Sequence, residues 1–565
     1  MIAAASALPR ALATQAATRN VATYLGFDLS TQGLKATAID STTREIVMNT
    51  QLNFDTDLPH HGTEGGAIKR GGNVVNTPTI MFIEALDMLL ERMADERFDF
   101  GTVKAISGSG QQHGSVYWRE GAAATLGSLA PGKLAPQLAG AFSFPDSPIW
   151  MDSSTTAQCA ALEATLGGAQ ATASLTGSRA YERFTGNQIA KLGAADAGAY
   201  AATERISLIS SAMPSILAGR YAAVDATDGA GMNLTDLRAC DGAGTSWAKD
   251  ALAAFDEQIG AGGGGELAAK LGEAPVPAYA EVGKVAGNLV ATYGFDPACR
   301  VIAWSGDNPN SVAGLGMIKP GDIGVSLGTS DTIFGITAAG DSAPGLEGHV
   351  FPSPIDPASH MVMLCYKNGS RCRESVRDRV AGADWDRFAN LVAHAPVGNG
   401  GAVGFFFDEP EITPDVKEAG RSCFEAGSND AAASFADGST EARAVLEGQF
   451  LSMRLHAEGL GIPAKRIIVT GGASKNPTIT QVLADVFGVD VLAVDQPDSA
   501  SLGAAYRAMQ GDKIADKEAF VSFSDAVGDL ASAYTKVAEP SAEAHACYSA
   551  MLPRYKLLED KVVSA

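Results

Sequence analysis

The sequence has little positive charge for its size. Its 42 Lys and Arg residues stand against 64 Asp and Glu residues, which leaves a formal net charge of −22 at pH 7. A surface of that sign repels phosphate backbones and anionic lipids, so we expect no nucleic acid and no membrane among the partners. An anionic ligand would have to be held locally, by backbone N–H groups, helix N-termini, a metal ion or a few well-placed cations.

Paired cysteines and long apolar runs are also missing. The cysteines are odd in number, widely spaced and without a C-x-x-C pair, so we expect reduced thiols and a cytoplasmic protein. They are Cys159, Cys240, Cys299, Cys365, Cys372, Cys423 and Cys547. No uninterrupted run of about 18 apolar residues occurs, and a transmembrane helix is therefore not expected.

The first twenty residues contain no Asp or Glu. They are rich in Ala, Ser and Thr and carry Arg10 and Arg19, a composition that resembles a short organellar transit peptide. An Ala-rich terminus without a targeting role would look the same. If residues 1–20 are a transit peptide, the expected location becomes the mitochondrion or plastid.

What the sequence does contain is enough material for several domains with large cores. The chain has 565 residues, of which 46% are hydrophobic and 19% charged, and at roughly 100 to 200 residues per domain this length predicts about three to five folding units. Residues 22–28, 34–40 and 45–51 read as three short strands, with the polar turn LSTQG between the first two. A similar unit, DIGVSL-GTSD-TIFGITA, follows about 300 residues later. We therefore expect an α/β protein with two sheet domains that face each other across a groove.

The intervening segments suggest where the domains divide. Residues 77–93 have helical apolar spacing, and 104–110 read as a strand that leads into GQQHG. We expect a further helix near DSSTTAQC, capped by Asp152, Ser153 or Ser154. We place the main division just before VIAWSGDN, which gives an extension at 1–20, a first domain at 21–299 and a second at 300–565. The glycine-rich tracts at 242–244 and 260–265 read as surface loops.

The two polar turns are suited to binding phosphate. In the first, Asp28 ends a strand and is followed by Ser30, Thr31 and Gln32, which places hydroxyls, amides and one carboxylate together. An ordinary Asp-capped hairpin would have the same residues. The second turn repeats the design with Gly328, Thr329 and Ser330. Neither turn matches the P-loop pattern, and a kinase-type glycine loop is missing, which disfavours both of those nucleotide-binding classes.

Two further segments can supply chemistry. Asp307 and Asn308 follow an apolar strand and precede a helix, where a carboxylate can accept a proton from a bound hydroxyl; a plain helix cap at Asp307 is the alternative. In IIVTGGASKNPTITQVLADVF, a strand at 467–470 leads through Gly471 and Gly472 into a helix that runs toward residue 487. The bare backbone there would admit a flat base or a ribose.

Other polar residues receive simpler interpretations. His60 and His61 have no third metal ligand nearby in the sequence, which favours a surface loop over a metal site. Arg371 and Arg373 beside Lys367 are suited either to phosphate or to bracing between domains. Asp225 and Asp228 are expected to cap a turn near the cleft.

Seven motifs in a fixed order identify a resemblance to a known family. They are GFDLSTQGLK, SGSGQQHGSVYW, SPIWMDSSTTAQC, TGSRAYERFTGNQIAK, SGDNPNSVAGLG, SLGTSDT and VTGGASKNPTITQVLADVF. Together they resemble the FGGY carbohydrate kinases, and most of all the eukaryotic members that act on xylulose. The resemblance runs from Tyr24 to the C-terminal region and covers more than nine-tenths of the chain. It implies two ribonuclease H-like, actin-like domains that close over ATP–Mg²⁺ and a ketose, here D-xylulose.

The resemblance also assigns roles to individual residues. It implies that Asp307 is the general base, that Asp28 steadies Mg²⁺, and that the sugar is bound by His113, Arg183, Asp307 and Asn308. It implies that the phosphates of ATP are bound by Ser30, Thr31, Gln32, Gly328, Thr329 and Ser330. It implies that the adenosine is bound by Trp385, Gly472, Ala473 and Asn476. For Trp385 there is an alternative, because a tryptophan in an amphipathic segment is more often part of a core.

Two alternatives remain open at this point. The chain could act on another ketose or polyol such as ribulose, because one hydroxyl contact can change specificity strongly. It could also be a non-catalytic sugar or nucleotide sensor on the same scaffold, against which the presence of Asp307 argues. We expect a monomer or a homodimer.

Overall fold

A computed structural model describes residues 21–239, 245–260, 266–494, 498–530 and 533–565. The N-terminal extension at 1–20 and the glycine tracts at 242–244 and 261–265 lie outside the described residues. Within the part of the chain that is described, no helix has the length and apolar character needed to cross a membrane.

The first part of the chain forms strands and helices in alternation. The strands are β1 (Thr23–Leu29), β2 (Gly33–Asp40), β3 (Ile46–Asn53), β4 (Ile68–Lys69), β5 (Val75–Pro78), β6 (Val103–Gly110), β7 (Ser115–Arg119), β8 (Phe142–Phe144), β9 (Asp146–Pro148), β10 (Thr203–Leu208), β11 (Glu281–Lys284), β12 (Arg300–Ile302) and β13 (Ser305–Gly306). The helices are α1 (Phe54–Asp57), α2 (Thr79–Asp95), α3 (Ala122–Gly127), α4 (Ala135–Leu138), α5 (Thr156–Leu166), α6 (Ala169–Thr176), α7 (Thr185–Ala195), α8 (Ala197–Ala201), α9 (Ile209–Ala218), α10 (Ala226–Gly229), α11 (Lys249–Ile259), α12 (Glu266–Leu271), α13 (Gly287–Tyr293) and α14 (Asp307–Gly314).

The remaining elements follow the same alternation. The strands are β14 (Asp322–Leu327), β15 (Asp331–Ala338), β16 (His349–Pro352), β17 (Ser359–Tyr366), β18 (Val403–Phe407), β19 (Gly420–Phe424), β20 (Ala431–Ala432), β21 (Arg466–Thr470), β22 (Val491–Ala493) and β23 (Thr535–Ala538). The helices are α15 (Ser370–Ala381), α16 (Trp385–His394), α17 (Gly438–Gly459), α18 (Pro477–Phe487), α19 (Ser499–Lys517), α20 (Phe523–Val527) and α21 (Ala542–Val563).

The first large sheet begins with the predicted three-strand unit. Its order is β11-β12-β6-β1-β2-β3, with β13 also paired to β6. Strands β1, β2 and β3 are antiparallel neighbours, whereas β6 is parallel to β1, β12 and β13. The apolar face of α2 covers this sheet, with Met81, Phe82 and Leu86 buried. We call the chain from 21 to 306 the first lobe.

The second large sheet repeats this plan. Its order is β16-β17-β15-β14-β21-β22-β23, in which β14, β15 and β17 are antiparallel neighbours and β21 is parallel to β14 and β22. Two sheets that share one topology confirm the predicted pair of ribonuclease H-like domains. We call the chain from 322 onward the second lobe.

Two expectations differ from the structure in detail. The second sheet begins at Asp322, because β12 and β13 still pair with β6 of the first sheet; the sheets therefore divide later than the predicted boundary at 299/300.

Helix α5 begins after Thr155 without a side-chain cap. The Asp152 carboxylate is not a cap there, because it accepts hydrogen bonds from Ser154, Gln188 and Lys191.

Helix α19 joins the two lobes, although it lies between β22 and β23 of the second sheet in the chain. A Cβ atom on Gly26 of β1 would lie 2.0 Å from the carbonyl oxygen of Ser501, and one on Gly503 would lie 1.9 Å from that of Asn310. Only glycine allows backbones to approach so closely. A shared core forms around this helix, in which Leu502 of α19 lies with Tyr24 of the first sheet and Phe334 of the second.

We predict that Gly503→Ala lowers the free energy of unfolding by about 3 kcal/mol, because its methyl group would force α19 away from α14. The matched control is Gly459→Ala, whose Cβ meets nothing within 4 Å at the end of α17. That control should leave stability unchanged or raise it by up to about 1 kcal/mol. Urea unfolding of both variants checks the prediction, which fails if the two midpoints move together.

Candidate active site

Three functional segments of the first lobe leave the same edge of its sheet. Asp28 lies near the carboxyl end of β1, GQQHG follows β6, and Asp307 follows β13. These strands are parallel neighbours, and Asp28 and Ser305 pair with the same residue, Ser109. Ligands of open α/β sheets bind outside such carboxyl ends. The topology therefore brings together residues that are almost 280 positions apart.

Asp28 is a buried carboxylate with one oxygen uncommitted. The Ser30 hydroxyl donates to its Oδ2 over 2.6 Å, while Oδ1 has no hydrogen-bond partner. The pKa of Asp28 is raised to about 7, chiefly by burial; the hydrogen bond from Ser30 opposes this rise, and the charge of Asp307 adds to it. Asp28 and Asp307 thus act on one another across the site. A buried, orphaned carboxylate oxygen is a suitable ligand for a hydrated Mg²⁺ ion.

Asp307 is the first residue of α14 and its carboxylate is fixed in direction. Its Oδ1 accepts from the backbone N–H of Asn308 over 2.8 Å and from the Asn308 side chain over 3.1 Å. The Asn308 amide also donates to Gln112 Oε1 over 3.1 Å. Burial raises the pKa of Asp307 while these donors lower it. The second carboxylate oxygen remains available to a substrate hydroxyl.

His113 is held as a neutral imidazole. Its Nδ1 lies 2.9 Å from the carbonyl oxygen of Gly231, so Nδ1 donates and Nε2 is left as an acceptor. The ring stacks on Phe184 at 4.5 Å between centroids. Burial, together with the charge of Arg183, lowers the pKa of His113 to about 3. An uncharged acceptor beside a cation is well suited to a sugar hydroxyl.

Arg183 is positioned from both lobes. Its guanidinium lies over the ring of Tyr181, with 4.8 Å between Cζ and the centroid, and its Nη2 donates to Nε2 of His349 over 2.7 Å. His349 belongs to β16 of the second sheet, and its Nδ1 lies 3.0 Å from the Ser178 hydroxyl. Burial lowers the pKa of His349 well below its usual value, so the ring stays neutral and accepts from Arg183.

The second polar turn connects β14 and β15. Gly328 is half-buried, and Thr329 and Ser330 are exposed at the tip. Behind the turn, Asp331 forms a fully buried ion pair with Arg373, whose Nη1 lies 2.6 Å from Oδ2. Arg373 therefore braces this turn and does not face a phosphate. Its partners Asp331, Ser370 and Gln449 all belong to the second lobe, so Arg373 braces within that lobe and not between the domains, as one of the two interpretations had it.

The pair Gly471 and Gly472 lies beside the second polar turn. A Cβ on Gly471 would lie 2.5 Å from the carbonyl oxygen of Leu327, the last residue of β14, while one on Gly472 would meet nothing within 4 Å. Asn476 caps α18 by accepting from the N–H groups of Thr478 and Ile479. Ala473 is half-buried between them. This groove is open on the side of Gly472.

Trp385 lies at the start of α16 and is half-buried against the core of the second lobe. Its ring packs edge-on against Phe388, with 5.5 Å between centroids, and the Arg377 guanidinium lies over it. These contacts do not involve the polar turns, so its role toward the nucleotide stays a prediction.

Sequence patterns missed three residues of this site. Gln112 supports Asn308, His349 supports Arg183, and the exposed Trp150 indole donates to the Thr31 hydroxyl over 2.8 Å. Gln112 and Trp150 lie inside motifs that were already noted. His349 gave no local signal, since it depends on a strand of the other lobe. Asp225 caps α10 as expected, with the N–H of Asp228 donating to it over 2.7 Å.

Comparison with known proteins places these features in a family. Residues 323–511 match the C-terminal domain of the FGGY family of carbohydrate kinases. The chain is 46% identical to the xylulose kinase of Mus musculus, over 99% of this chain and 97% of that protein. It is also 46% identical to xylulose kinase 2 of Arabidopsis thaliana, over 89% of each chain.

Solved structures share the fold at low sequence identity. The crystal structure of a xylulose kinase from Brucella ovis superposes with a TM-score of 0.74 at 21% identity, covering 96% of this chain and 99% of that one. The near-complete coverage of the mouse and Arabidopsis proteins is decisive. The chain belongs to the FGGY family of carbohydrate kinases.

Proposed function

We propose that this chain transfers the γ-phosphoryl group of ATP to the 5-hydroxyl of D-xylulose and releases D-xylulose 5-phosphate and ADP. It is an enzyme that phosphorylates xylulose, as its mouse and Arabidopsis relatives are named to do. The observation that carries the chemistry is the oriented Asp307 carboxylate beside Asp28 and His113, at one edge of the first sheet. The product would enter pentose phosphate metabolism, and we place the reaction in the cytoplasm.

The sugar would lie against the first lobe. The neutral Nε2 of His113 accepts one hydroxyl, and the Arg183 guanidinium donates to a hydroxyl or to the carbonyl group. Asn308 orients the Asp307 carboxylate and keeps it pointed at the 5-hydroxyl. These groups are directional and include only one free cation, which agrees with a neutral polyhydroxy ligand.

Asp307 would take up the proton of the 5-hydroxyl as that oxygen becomes bonded to phosphorus. Because such transfers pass through a loose transition state, alignment and charge neutralisation contribute more than base strength. The hydroxyls and amides of Ser30, Thr31 and Gln32 would hold the phosphates from one side. Gly328, Thr329 and Ser330 would hold them from the other.

The remaining ligand contacts follow from the second lobe and from Asp28. Mg²⁺, when bound with ATP, supplies positive charge beside the phosphates, and the orphaned Oδ1 of Asp28 fits it. Gly472, Ala473, Asn476 and Trp385 would hold the adenosine. The uncommitted Asn476 amide nitrogen and the open backbone at Gly472 suit a base or a ribose.

A panel of sugars in a coupled ADP-release assay tests the substrate. We expect D-xylulose to give the highest kcat/KM, with ribulose and simple polyols at least 100-fold lower, because missing hydroxyl contacts leave His113 and Arg183 unpaired. A sugar other than D-xylulose at the top of the panel would contradict the assignment. Binding of a sugar without sugar-dependent ADP release would point to a sensor.

Asp307→Asn tests the base. We expect kcat to fall by about 100- to 10,000-fold, because an amide cannot take up the proton, while the Kd for D-xylulose changes by less than about tenfold. Asp250→Asn, at an exposed position of α11, is the control and should leave kcat unchanged. Turnover that survives in Asp307→Asn would remove Asp307 from this role.

His349→Ala tests whether the second lobe positions Arg183. We expect KM for D-xylulose to rise about tenfold, with kcat and KM for ATP within about twofold, because the guanidinium loses its acceptor. Gln offers an acceptor at similar reach, so His349→Gln should recover most of the loss. His360→Ala in the neighbouring β17 is the control. A purely structural role would instead shift both KM values together or be insensitive to Gln.

A further inference from the structure

Two adjacent histidines and a glutamate converge on the surface of the first lobe, between the loop that follows β3 and helix α2. His60 and His61 form part of a short 3-10 turn, Pro59–His61, and Glu84 lies on α2. The Nε2 atoms of both rings approach the same carboxylate oxygen, Oε2 of Glu84, at 2.8 and 3.0 Å. No third ligand lies near this histidine pair in the sequence, but the fold brings in Glu84 from 23 residues beyond His61.

The loop that carries the histidines is anchored independently of them. The Asp55 carboxylate accepts from the Thr63 hydroxyl and from the backbone N–H groups of Gly65 and Gly66, at 2.6 to 3.1 Å. Leu58 is buried next to the turn, and Gly62 ends it in the left-handed region at a φ of 66°. Both imidazoles are therefore presented by a fixed backbone, which lowers the cost of ordering them around a ligand.

The donor set selects a class of ion. The three ligand atoms lie within 4.8 Å of one another, and two imidazole nitrogens with one carboxylate oxygen make a set that Zn²⁺ uses in proteins. Mg²⁺ and Ca²⁺ prefer oxygen donors alone. Both Nε2 atoms approach the same oxygen, Oε2 of Glu84. A single cation bound between the three groups could coordinate all of them in place of these hydrogen bonds.

The cluster is partly exposed, so a metal ion can reach it from solvent. The side chain of His60 is 59% exposed and that of Glu84 31%, whereas that of His61 is 9% exposed. An ion can enter past His60 and keep water as its further ligand, while the less exposed His61 and the half-buried Glu84 form the opposite side. The rings already lie 4.2 Å apart between centroids, so the histidine backbone need not move.

We propose that His60, His61 and Glu84 form a binding site for a divalent first-row transition metal ion, with Zn²⁺ as the ion. The site is separate from Asp28 and does not depend on the reaction proposed above. A bound ion would fasten the loop to α2. Because Gly66 of the same loop packs against the backbone of Thr31, the site would stabilise the surroundings of the first polar turn.

Calorimetric titration of the EDTA-treated full chain with ZnCl₂ tests the proposal. We expect about one equivalent bound with a Kd on the order of micromolar, and a rise in Tm with Zn²⁺ concentration, as binding to the folded state requires. Glu84→Gln and His61→Ala should each weaken binding at least tenfold. His394→Ala, at an exposed position near the end of α16, is the control and should bind as the parent protein does.

Co²⁺ absorption makes the assignment specific to these ligands. We expect visible d–d bands with one equivalent of Co²⁺, which Zn²⁺ displaces and which are lost in both cluster variants. Both variants should keep the far-UV circular dichroism of the parent, which shows that they are folded. Saturation missing below about 100 μM Zn²⁺ would overturn the proposal. So would undiminished binding in both variants, since the ion would then sit on the cleft carboxylates or on a cysteine.

Discussion

The whole arrangement depends on the close packing of α19 against the first lobe. A Cβ on Gly314 of α14 would lie 1.9 Å from the carbonyl oxygen of Ser499, and those on Gly26 and Gly503 meet backbone at similar distances. With the backbones in contact, Arg507 of α19 donates to Asn310 over 2.7 Å, and Asn310 in turn donates to β6. Helix α14, which begins with Asp307, is thereby fixed against the strand beside Asp28.

The fixed position of α14 beside β1 explains why the pKa values of Asp28 and Asp307 are raised. Two carboxylates, Asp28 and Asp307, are kept in poorly hydrated positions, and burial raises the pKa of each. Such an arrangement disfavours the ionised form until a cation arrives, which suits a reaction that uses a metal ion and a proton acceptor side by side. At the proposed sugar site, His113 and His349 are both kept neutral, so Arg183 remains the positive group among them. The second lobe holds that arginine through His349, so the proposed sugar contacts would depend on both lobes.

Much of this could be predicted from the sequence because its signals are local. The three strands around Asp28, the repeat of that unit at Gly328 and the helix after Asn476 follow from apolar spacing and turn residues, and each is confirmed. What escaped prediction depends on contacts between distant segments. Asp152 is a residue type that often caps helices, but its carboxylate accepts hydrogen bonds from Lys191 and Gln188 of α7. Glu84 lies beside His60 and His61 only because α2 packs against their loop. The later division between the sheets has the same origin. An apolar strand before Asp307 was expected, but only the pairing of β12 and β13 with β6 shows that it belongs to the first sheet.

The central claim is that the sugar's 5-hydroxyl is captured between Asp307 and the phosphate-holding turns, with the metal ion at Asp28. The most direct measurement is a crystal structure of the enzyme with D-xylulose, Mg²⁺ and a non-hydrolysable ATP analogue. We predict an Asp307 carboxylate oxygen within about 3 Å of the 5-hydroxyl, in reach of proton transfer, and the triphosphate between residues 30–32 and 328–330. A nucleotide bound elsewhere, or a 5-hydroxyl that faces away from Asp307, would contradict it.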